Sequence, residues 1–493
     1  MSSTPRQVTN ASLYLLPVIV GNLVPILTLP IFTRLLSAED FGAWALANAY
    51  GIVVGGLATV GLPITYDRNF FQYREGRQPA RLLYSVVGFS LLSFSMCALA
   101  TWMLRTPITQ WLIGDVAYRN VLVWCLCSTA IVGIKTYYLT YLRNTEQAAA
   151  FSAYTIAERL LAAVLTVGLV VWARAGIMGL VIGQLLASAL VLMVMAFRFL
   201  KPCPPGFDRA LLADSLKLGL PLTPRILLGV VGNNFDKYLI GQVSSLGGVG
   251  IYSIGQRVAN IAFTYMTALQ NVFGPQVYTR MFSGATDSGT SIGRYLTPFA
   301  YVSTLLAFMV AIFSEEILRV LAPPTYLGAI PIVTILVLYY GIQFFGKMPQ
   351  IAYARRTHMI SVLAAVSTGL NVALGAAGIW LWGTVGAAWG ILAAGLIIST
   401  ISFVVGQRCF RIEWETGPLV AMFGLLFGSA FLVLALRAAH TPYAVLAIVK
   451  LLALGAFLRL GGSLGVITRE NFGMVRDLVS SRLRGSGPVR GES

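Results

Sequence analysis

Several ionisable side chains lie inside stretches apolar enough to enter a bilayer, and their signs are unbalanced. The cations are Lys135, Arg159, Arg225, Lys237, Arg257, Lys347, Lys450 and Arg459; the carboxylates are Glu158 and Asp236. A charge at the centre of a membrane helix costs about 2.5–3.5 kcal/mol on insertion scales, so such residues face a bundle interior or a water-filled path. An excess of cations suits an anionic ligand. Arginine in particular forms bidentate, charge-assisted bonds to phosphate oxygens. At 1.5 Å rise per residue, Arg225 lies roughly 13 Å into its segment, and Arg159, Lys135 and Arg257 roughly 10–12 Å into theirs. Lys237, Lys347 and Arg459 are close enough to segment ends to snorkel. Lys450 is deeper but belongs to the last pair of segments.

Helical spacing groups these residues into faces. Arg225, Gly229, Gly232 and Asp236 recur at i, i+4, i+7 and i+11, on a segment bent by Pro221 and Pro224. Arg257, Asn260 and Thr264 form a polar stripe, with Gln256 beside it. Lys135, Tyr138 and Leu142 share a face, as do Tyr154 and Glu158, with Thr155 and Arg159 on the adjacent one. Two readings of the carboxylates stand open. Glu158 pairs with Arg159 or Lys135, and Asp236 with Lys237 or Arg257, as structural ties; or either carboxylate titrates and couples transport to an ion. Tyr14, Tyr66, Tyr137, Tyr138 and Tyr265 are read as packing or interface aromatics rather than sugar platforms.

These residues must be positioned by helices that span a membrane. The 493 residues are 57% hydrophobic and only 11% charged, with a mean hydropathy of +0.78, against about 25% charged in soluble domains. Fourteen windows reach the length of a span: 12–33, 41–65, 82–104, 120–142, 152–173, 177–198, 216–241, 249–274, 295–317, 328–351, 359–382, 384–406, 417–436 and 443–465. Only Gly383 divides the eleventh from the twelfth. Leu13–Phe32 reads as a first span rather than a cleaved signal.

The net charge is +17. Cations such as Arg68, Arg74, Arg77, Arg81, Arg143, Arg198 and Lys201 crowd one side, against Arg34, Arg105, Arg119, Arg174, Arg319 and Arg437 on the other. The positive-inside rule then puts both termini in the cytoplasm, and orientation accounts for the positive charge without nucleic acid. Five isolated cysteines and two isolated histidines give no metal site and no disulfide framework. No Walker motif or large polar loop is present, so the chain reads as a transporter and not an enzyme, with no cofactor.

An internal repeat divides the chain. Thr33-Arg34-Leu35-Leu36 leads into Phe41-Gly42-Ala43-Trp44, and Asp236-Lys237-Tyr238-Leu239 leads into Val249-Gly250-Ile251-Tyr252. A Pro-rich connection within 199–215 separates the two copies. Internal repeats of this kind are common in secondary transporters.

The run Pro30–Gly42 resembles the first-loop signature of Wzx-type polysaccharide flippases, members of the multidrug/oligosaccharidyl-lipid/polysaccharide exporter superfamily. Asp236–Gly241 followed by Gly248–Ser253 resembles the same family's mid-chain signature. The resemblance covers essentially the whole chain. It implies an all-α polytopic protein with about 14 transmembrane helices: two six-helix lobes in a V around a central cavity, plus two C-terminal helices. The lobes would be 1–205 and 206–415, the extra spans 416–467, and a basic cytoplasmic tail 468–493. The implied function is to flip undecaprenyl-pyrophosphate-linked oligosaccharide across the bacterial inner membrane for O-antigen, capsule or exopolysaccharide synthesis. Membrane lipids, a polysaccharide polymerase and a chain-length regulator would be partners. Substrate binding falls to Arg225, Arg257, Arg159, Lys135 and Asn260; gating or ion coupling falls to Asp236, Lys237, Glu158 and Arg34. A lipid II flippase, or cation-coupled efflux of drugs or metabolites on the same fold, are the alternatives. The acidic ion sites usual in efflux relatives are not recognisable here.

Overall fold

A computed structural model of the chain describes residues 4–73, 75–283, 287–345 and 349–466. Arg74, Lys347 and the basic tail 468–493 lie outside the described residues, and so does the side chain of Tyr14. Among the described residues the regular structure is helical throughout. Helices dominate because an apolar run can satisfy every backbone N–H and C=O within itself, as a lipid environment requires.

The chain runs through α1 (Thr4–Leu35), α2 (Ala38–Thr59), α3 (Leu62–Gln72), α4 (Gln78–Met103), α5 (Arg105–Leu112), α6 (Arg119–Asn144), α7 (Ala148–Val171) and α8 (Gly176–Phe199). It continues with α9 (Arg209–Gly232), α10 (Phe235–Val243), α11 (Leu246–Phe282), α12 (Ser288–Ile312) and α13 (Ser314–Leu321). The last part is α14 (Ile330–Ile342), α15 (Pro349–Tyr353), α16 (Thr357–Cys409), α17 (Thr416–Ala438) and α18 (Tyr443–Ser463). Eleven of the described segments are long and apolar enough to cross a membrane. The windows 359–382 and 384–406 lie together on α16, which breaks at Trp382 (φ −133°, ψ 17°) and Gly383 (φ 60°, ψ −140°). A positive φ is strained for any residue but glycine, so the single glycine marking this division is also its mechanical cause. The windows 216–241 and 249–274 are not among the eleven; they carry Arg225, Asp236, Lys237 and Arg257.

Residues 216–241, expected as one span, form two helices. α9 opens on Asp208, whose carboxylate accepts from the Ala210 and Leu211 amides at 3.0 and 3.3 Å, a helix N-cap. It closes at Asn233, and Asn234 bonds back to the Val230 carbonyl at 2.9 Å. Arg225 and Asp236 are therefore on different helices, and the expected i, i+11 face ends at Gly232. Pro221 and Pro224 stand inside α9 as expected.

The described residues form two compact units. The first takes the described parts of Met1–Val258, Leu318–Ala329 and Thr368–Gly390; the second takes those of Ala259–Ile317, Ile330–Ser367 and Ile391–Ser493. In the first, α7 packs on α1 and α8, and α6 on α2 and α8. Its core holds Tyr66, Phe70, Phe94, Tyr137 and Tyr138, so three of the five tyrosines are packing residues, as read. One end of this unit is pinned by polar bonds. Asp67 on α3 accepts from Arg143 and Asn144 at 3.0 and 2.9 Å. Asn69 donates to Ser215 at 3.0 Å, and Tyr73 to Asp214 at 2.9 Å. That bond to a carboxylate pushes the Tyr73 phenol pKa up. In the second unit α12 packs on α14, α17 and α18.

The two copies of the repeat meet in the first unit. A Cβ on Gly42 would stand 2.0 Å from the Leu246 carbonyl oxygen, and one on Gly250 would stand 1.9 Å from that of Ala38. Each glycine thus faces the carbonyl four residues ahead of the other, a reciprocal crossing of α2 and α11. Ser37 caps α2 in a capping box with Asp40. Tyr326 fixes the preceding turn by donating to the Leu36 carbonyl at 2.8 Å. Close backbone approach through small residues is the usual way membrane helices associate. Gly42→Ala and Gly250→Ala are each expected to destabilise the chain by about 1–3 kcal/mol, the usual range for overpacking. Gly229→Ala, whose Cβ meets open space, is the neutral control. Thermal unfolding of the detergent-purified protein checks this; equal melting temperatures for all three would refute the close crossing.

Candidate functional site

The site residues divide by what neutralises them. Lys135 on α6 and Glu158 on α7 are both buried and ion-paired. Ser188 on α8 donates to the same Glu158 oxygen at 2.6 Å. Three helices meet at one carboxylate, and of the two pairings open for Glu158 the structure has the one with Lys135. Lys135, Tyr138 and Leu142 are all buried, so their common face points into the bundle.

Asp236 is held differently. The Tyr252 hydroxyl donates to its Oδ2 at 2.6 Å, and Lys237 Nζ is 3.9 Å from its Oδ1. The aromatic of the second Gly-x-aromatic element thus tethers the acidic residue of the mid-chain signature. Arg257 makes no ion pair among the described residues; its guanidinium stands 4.9 Å from the Trp44 ring centroid. Cation–π contacts of this kind are worth about 0.5–2 kcal/mol and leave the N–H fork free to bind an anion. Trp44 belongs to the first Gly-x-aromatic element, so the first repeat copy holds Arg257 and the second holds Asp236.

Arg159 and Arg225 are exposed, and among the described residues neither has an ion-pair partner. Arg159 lies beside α1, where a Cβ on Gly21 would be 3.9 Å from its Nε. Arg225 projects from the proline-containing α9. Arg34 is exposed at the end of α1, its Nη1 3.5 Å from the Pro30 carbonyl. In the second unit Asn260 accepts from the Tyr340 hydroxyl at 2.8 Å.

Some partners escaped the sequence reading. Ser188 gave no signal, because a serine in an apolar run is unremarkable. Tyr252 and Trp44 sat inside the quoted motifs but were read only as aromatics. Buried Glu315 and half-buried Glu316 escaped as membrane carboxylates, although the window 295–317 ends on them. They stand in the first turn of α13, a favourable place for negative charge. Lys450, fully buried, donates to both Glu316 oxygens at 2.7 and 3.0 Å, and Tyr443 donates to one of them at 2.8 Å. Arg437 is 3.4 Å from Glu315. This cluster ties the last two helices to α13 and accounts for Lys450 without any ligand. Among the described residues no cluster of His, Cys, Asp or Glu is arranged to hold a metal ion.

Breaking a buried ion pair from one side strands a charge and typically costs about 3–5 kcal/mol, whereas replacing both partners is often neutral. Lys135→Met is therefore expected to lower the unfolding temperature sharply, with Lys135→Met/Glu158→Gln restoring most of it. A double variant no more stable than the single one would contradict a paired Glu158.

The model of the family described as polysaccharide biosynthesis protein matches residues 8–276, more than half of the chain. A search of curated protein sequences finds no match. Among solved structures, the lipid II flippase MurJ in an inward closed conformation is similar with a TM-score of 0.66 and 13% identity, covering 91% of this chain and 98% of its own. An inward-facing multidrug resistance MATE family transporter of the MOP superfamily gives 0.57 and 14%, covering 80% and 97%. A MOP superfamily transporter from Pyrococcus furiosus, described as having a binding pocket of reverse polarity, gives 0.53 and 15%, covering 81% and 94%. At these identities the likeness is one of fold: an all-α, multi-pass membrane transporter fold.

Proposed function

Because the chain belongs to the polysaccharide biosynthesis protein family, we propose that it is a flippase for undecaprenyl-pyrophosphate-linked oligosaccharide repeat units in the bacterial inner membrane. The observation that carries this reading is the pair of exposed arginines, Arg159 and Arg225, with no carboxylate partner among the described residues, on a fold of transporters. An arginine left unpaired on a spanning helix faces a water-filled path, and a diphosphate entering that path matches its fork geometry.

In this reading Arg225, Arg159 and Arg257 hold the diphosphate, Lys135 contributes to binding by anchoring Glu158 beside Arg159, and Asn260 offers a neutral contact. Asp236, Lys237, Glu158 and Arg34 serve gating or ion coupling. Access alternates as two halves, 1–205 and 206–415, move about the segments that carry these residues. The polyprenyl chain stays in lipid.

Cytoplasmic termini are proposed from the cation bias alone, and tryptophan marks an interface. Trp102, Trp111, Trp172, Trp380 and Trp382 are exposed and fall at the helix ends opposite the crowded cations, where an interfacial belt is expected. O-antigen, capsule or exopolysaccharide synthesis, with a polymerase and chain-length regulator alongside, is the proposed setting. Lipid II is the second reading, favoured by the 91% coverage by MurJ. Efflux is weaker, because cations still outnumber carboxylates within the spans after Glu315 and Glu316 are counted.

Arg225→Ala and Arg257→Ala are expected to cut surface glycan by about tenfold or more, the loss of one or two charge-assisted bonds, while the protein accumulates normally in membranes. Arg225→Lys retains part of the activity, because a point charge replaces the fork. Immunoblots of surface glycan and of the membrane fraction read both. Wild-type glycan in both alanine variants would sink the charged-site assignment, and lysis on depletion without a glycan defect would favour lipid II.

A further inference from the structure

The proline-rich connection between α8 and α9 reads in the sequence as a linker, but in the first unit it is held along its length. Cys203 is buried in the core, and its amide donates to the Phe199 carbonyl at 2.9 Å. Gly206 lies against the stem of Arg81 on α4, where a Cβ would stand 3.1 Å from the Arg81 Cγ. The Asp208 amide donates to Ser85 Oγ, also on α4, at 2.7 Å. These attachments make the connection a fixed plate. Lys201, Pro202, Pro204, Pro205, Phe207 and Arg209 are exposed on it.

The plate is basic. Within 75–85 and 198–214 five cations are exposed, Arg77, Arg81, Arg198, Lys201 and Arg209, against three carboxylates. Asp208 is spent on the Ala210 and Leu211 amides, and Asp214 on Tyr73 and Asn69. Glu75, exposed two residues before Arg77, offsets one charge. Two apolar features accompany the cations. Phe207 is 66% exposed although it sits between the attachment points at Gly206 and Asp208. On α8, which is long and apolar enough to span a membrane, Leu190, Val194 and Phe197 are exposed at i, i+4 and i+7. Leu200 is still in helical conformation, so this row leads to Lys201 at i+11.

We infer that the plate binds the headgroup of an anionic phospholipid, in the leaflet that meets the crowded cations. An acyl chain lies along the α8 row, and Phe207 settles at the boundary between headgroups and chains, as interfacial aromatics do. The phosphodiester then meets Lys201, Arg81 and Arg209. Attraction to an anionic leaflet strengthens binding roughly fivefold for each nearby cation. A zwitterionic lipid carries its own ammonium beside the phosphate and gains little from the plate. A free phosphate or an acidic protein segment uses the cations but leaves the apolar row on the span without a purpose. Because the plate ends in the N-cap of α9, a bound lipid fixes to the bilayer surface the foot of the helix that carries Arg225. Lipid binding here is independent of what the chain transports.

Photo-crosslinking of the full chain in phosphatidylcholine nanodiscs tests the site, with trace diazirine-bearing phosphatidylglycerol or phosphatidylcholine as the probe and peptide mapping as the readout. Residues 199–209 are expected to take label from phosphatidylglycerol in clear preference. Arg81→Gln/Arg209→Gln should lose about 25-fold of that preference, roughly fivefold for each cation. Lys201→Gln/Arg209→Gln, which leaves the contact of Arg81 with Gly206 alone, should lose as much. Arg119→Gln/Arg174→Gln, which removes two exposed cations of the opposite side, should keep the preference. Equal labelling by the two lipids, an unchanged preference in both plate variants, or an equal loss in the control would overturn the site. Displacement of the label by inorganic pyrophosphate would also overturn it, in favour of a site for free phosphate.

Discussion

A charge carried into an apolar helical bundle must be neutralised by a neighbour or face a water-filled path. The polar architecture of this chain follows from how each position meets that constraint. Lys135 and Glu158 meet it together, with Ser188 supplying a second donor to the carboxylate. Lys450 meets it with Glu316 and Tyr443, and Arg437 with Glu315. These contacts join helices distant in sequence, so neutralising the charge also fixes which helices are neighbours. Asp236 is tethered by Tyr252, and Arg257 rests against a ring that stabilises its charge without consuming its donors. Arg159 and Arg225 alone among the deep cations of the first unit are left with neither an ion pair nor a ring. Among the described residues of the first unit, the deep cations left uncompensated lie on α7 and α9.

The second constraint is steric. Membrane helices gain little hydrophobic free energy by associating with one another, so tight contact depends on small residues that let backbones approach. The reciprocal seating of Gly42 on Leu246 and Gly250 on Ala38 is one such contact. The crossing of the two arms of α16 is another, where a Cβ on Gly378 would stand 2.1 Å from the Gly386 carbonyl. In the first case the contact also carries chemistry. Trp44 and Tyr252 each sit two residues beyond a crossing glycine, so the side chains that hold Arg257 and Asp236 are placed by a rigid backbone contact. The repeated Gly-x-aromatic element has a physical reading on this basis. The glycine sets the helix distance, and the aromatic reaches one ionisable group.

Much of this was legible in the sequence. Among the described residues each span window falls mainly on helix, because twenty apolar residues in lipid have few alternatives. The division at Gly383 was readable because one residue type alone tolerates that backbone. The break after Gly232 was not, since Asn233-Asn234 sits in an otherwise continuous apolar run and looks like two polar residues on a helix. The partner of Glu158 was open between Arg159 and Lys135. Adjacent residues on a helix point about 100° apart, whereas Lys135 arrives on another helix, and only tertiary packing decides between them. Glu315 and Glu316 were hidden by their position at a window's edge, where a carboxylate reads as a loop residue until Lys450 is seen against it.

The described residues of the two units differ in how their deep charges are met. The first keeps the guanidinium groups of Arg159 and Arg225 without an ion pair, while in the second Lys450 is held by Glu316 and Arg437 by Glu315. An arginine spent on a carboxylate has its planar fork occupied, whereas an unpaired one keeps it for a phosphate. On the proposed flippase reading the diphosphate is the part common to every lipid-linked glycan, so a relative that handles a different glycan has no need of changes at Arg159, Arg225 or Arg257.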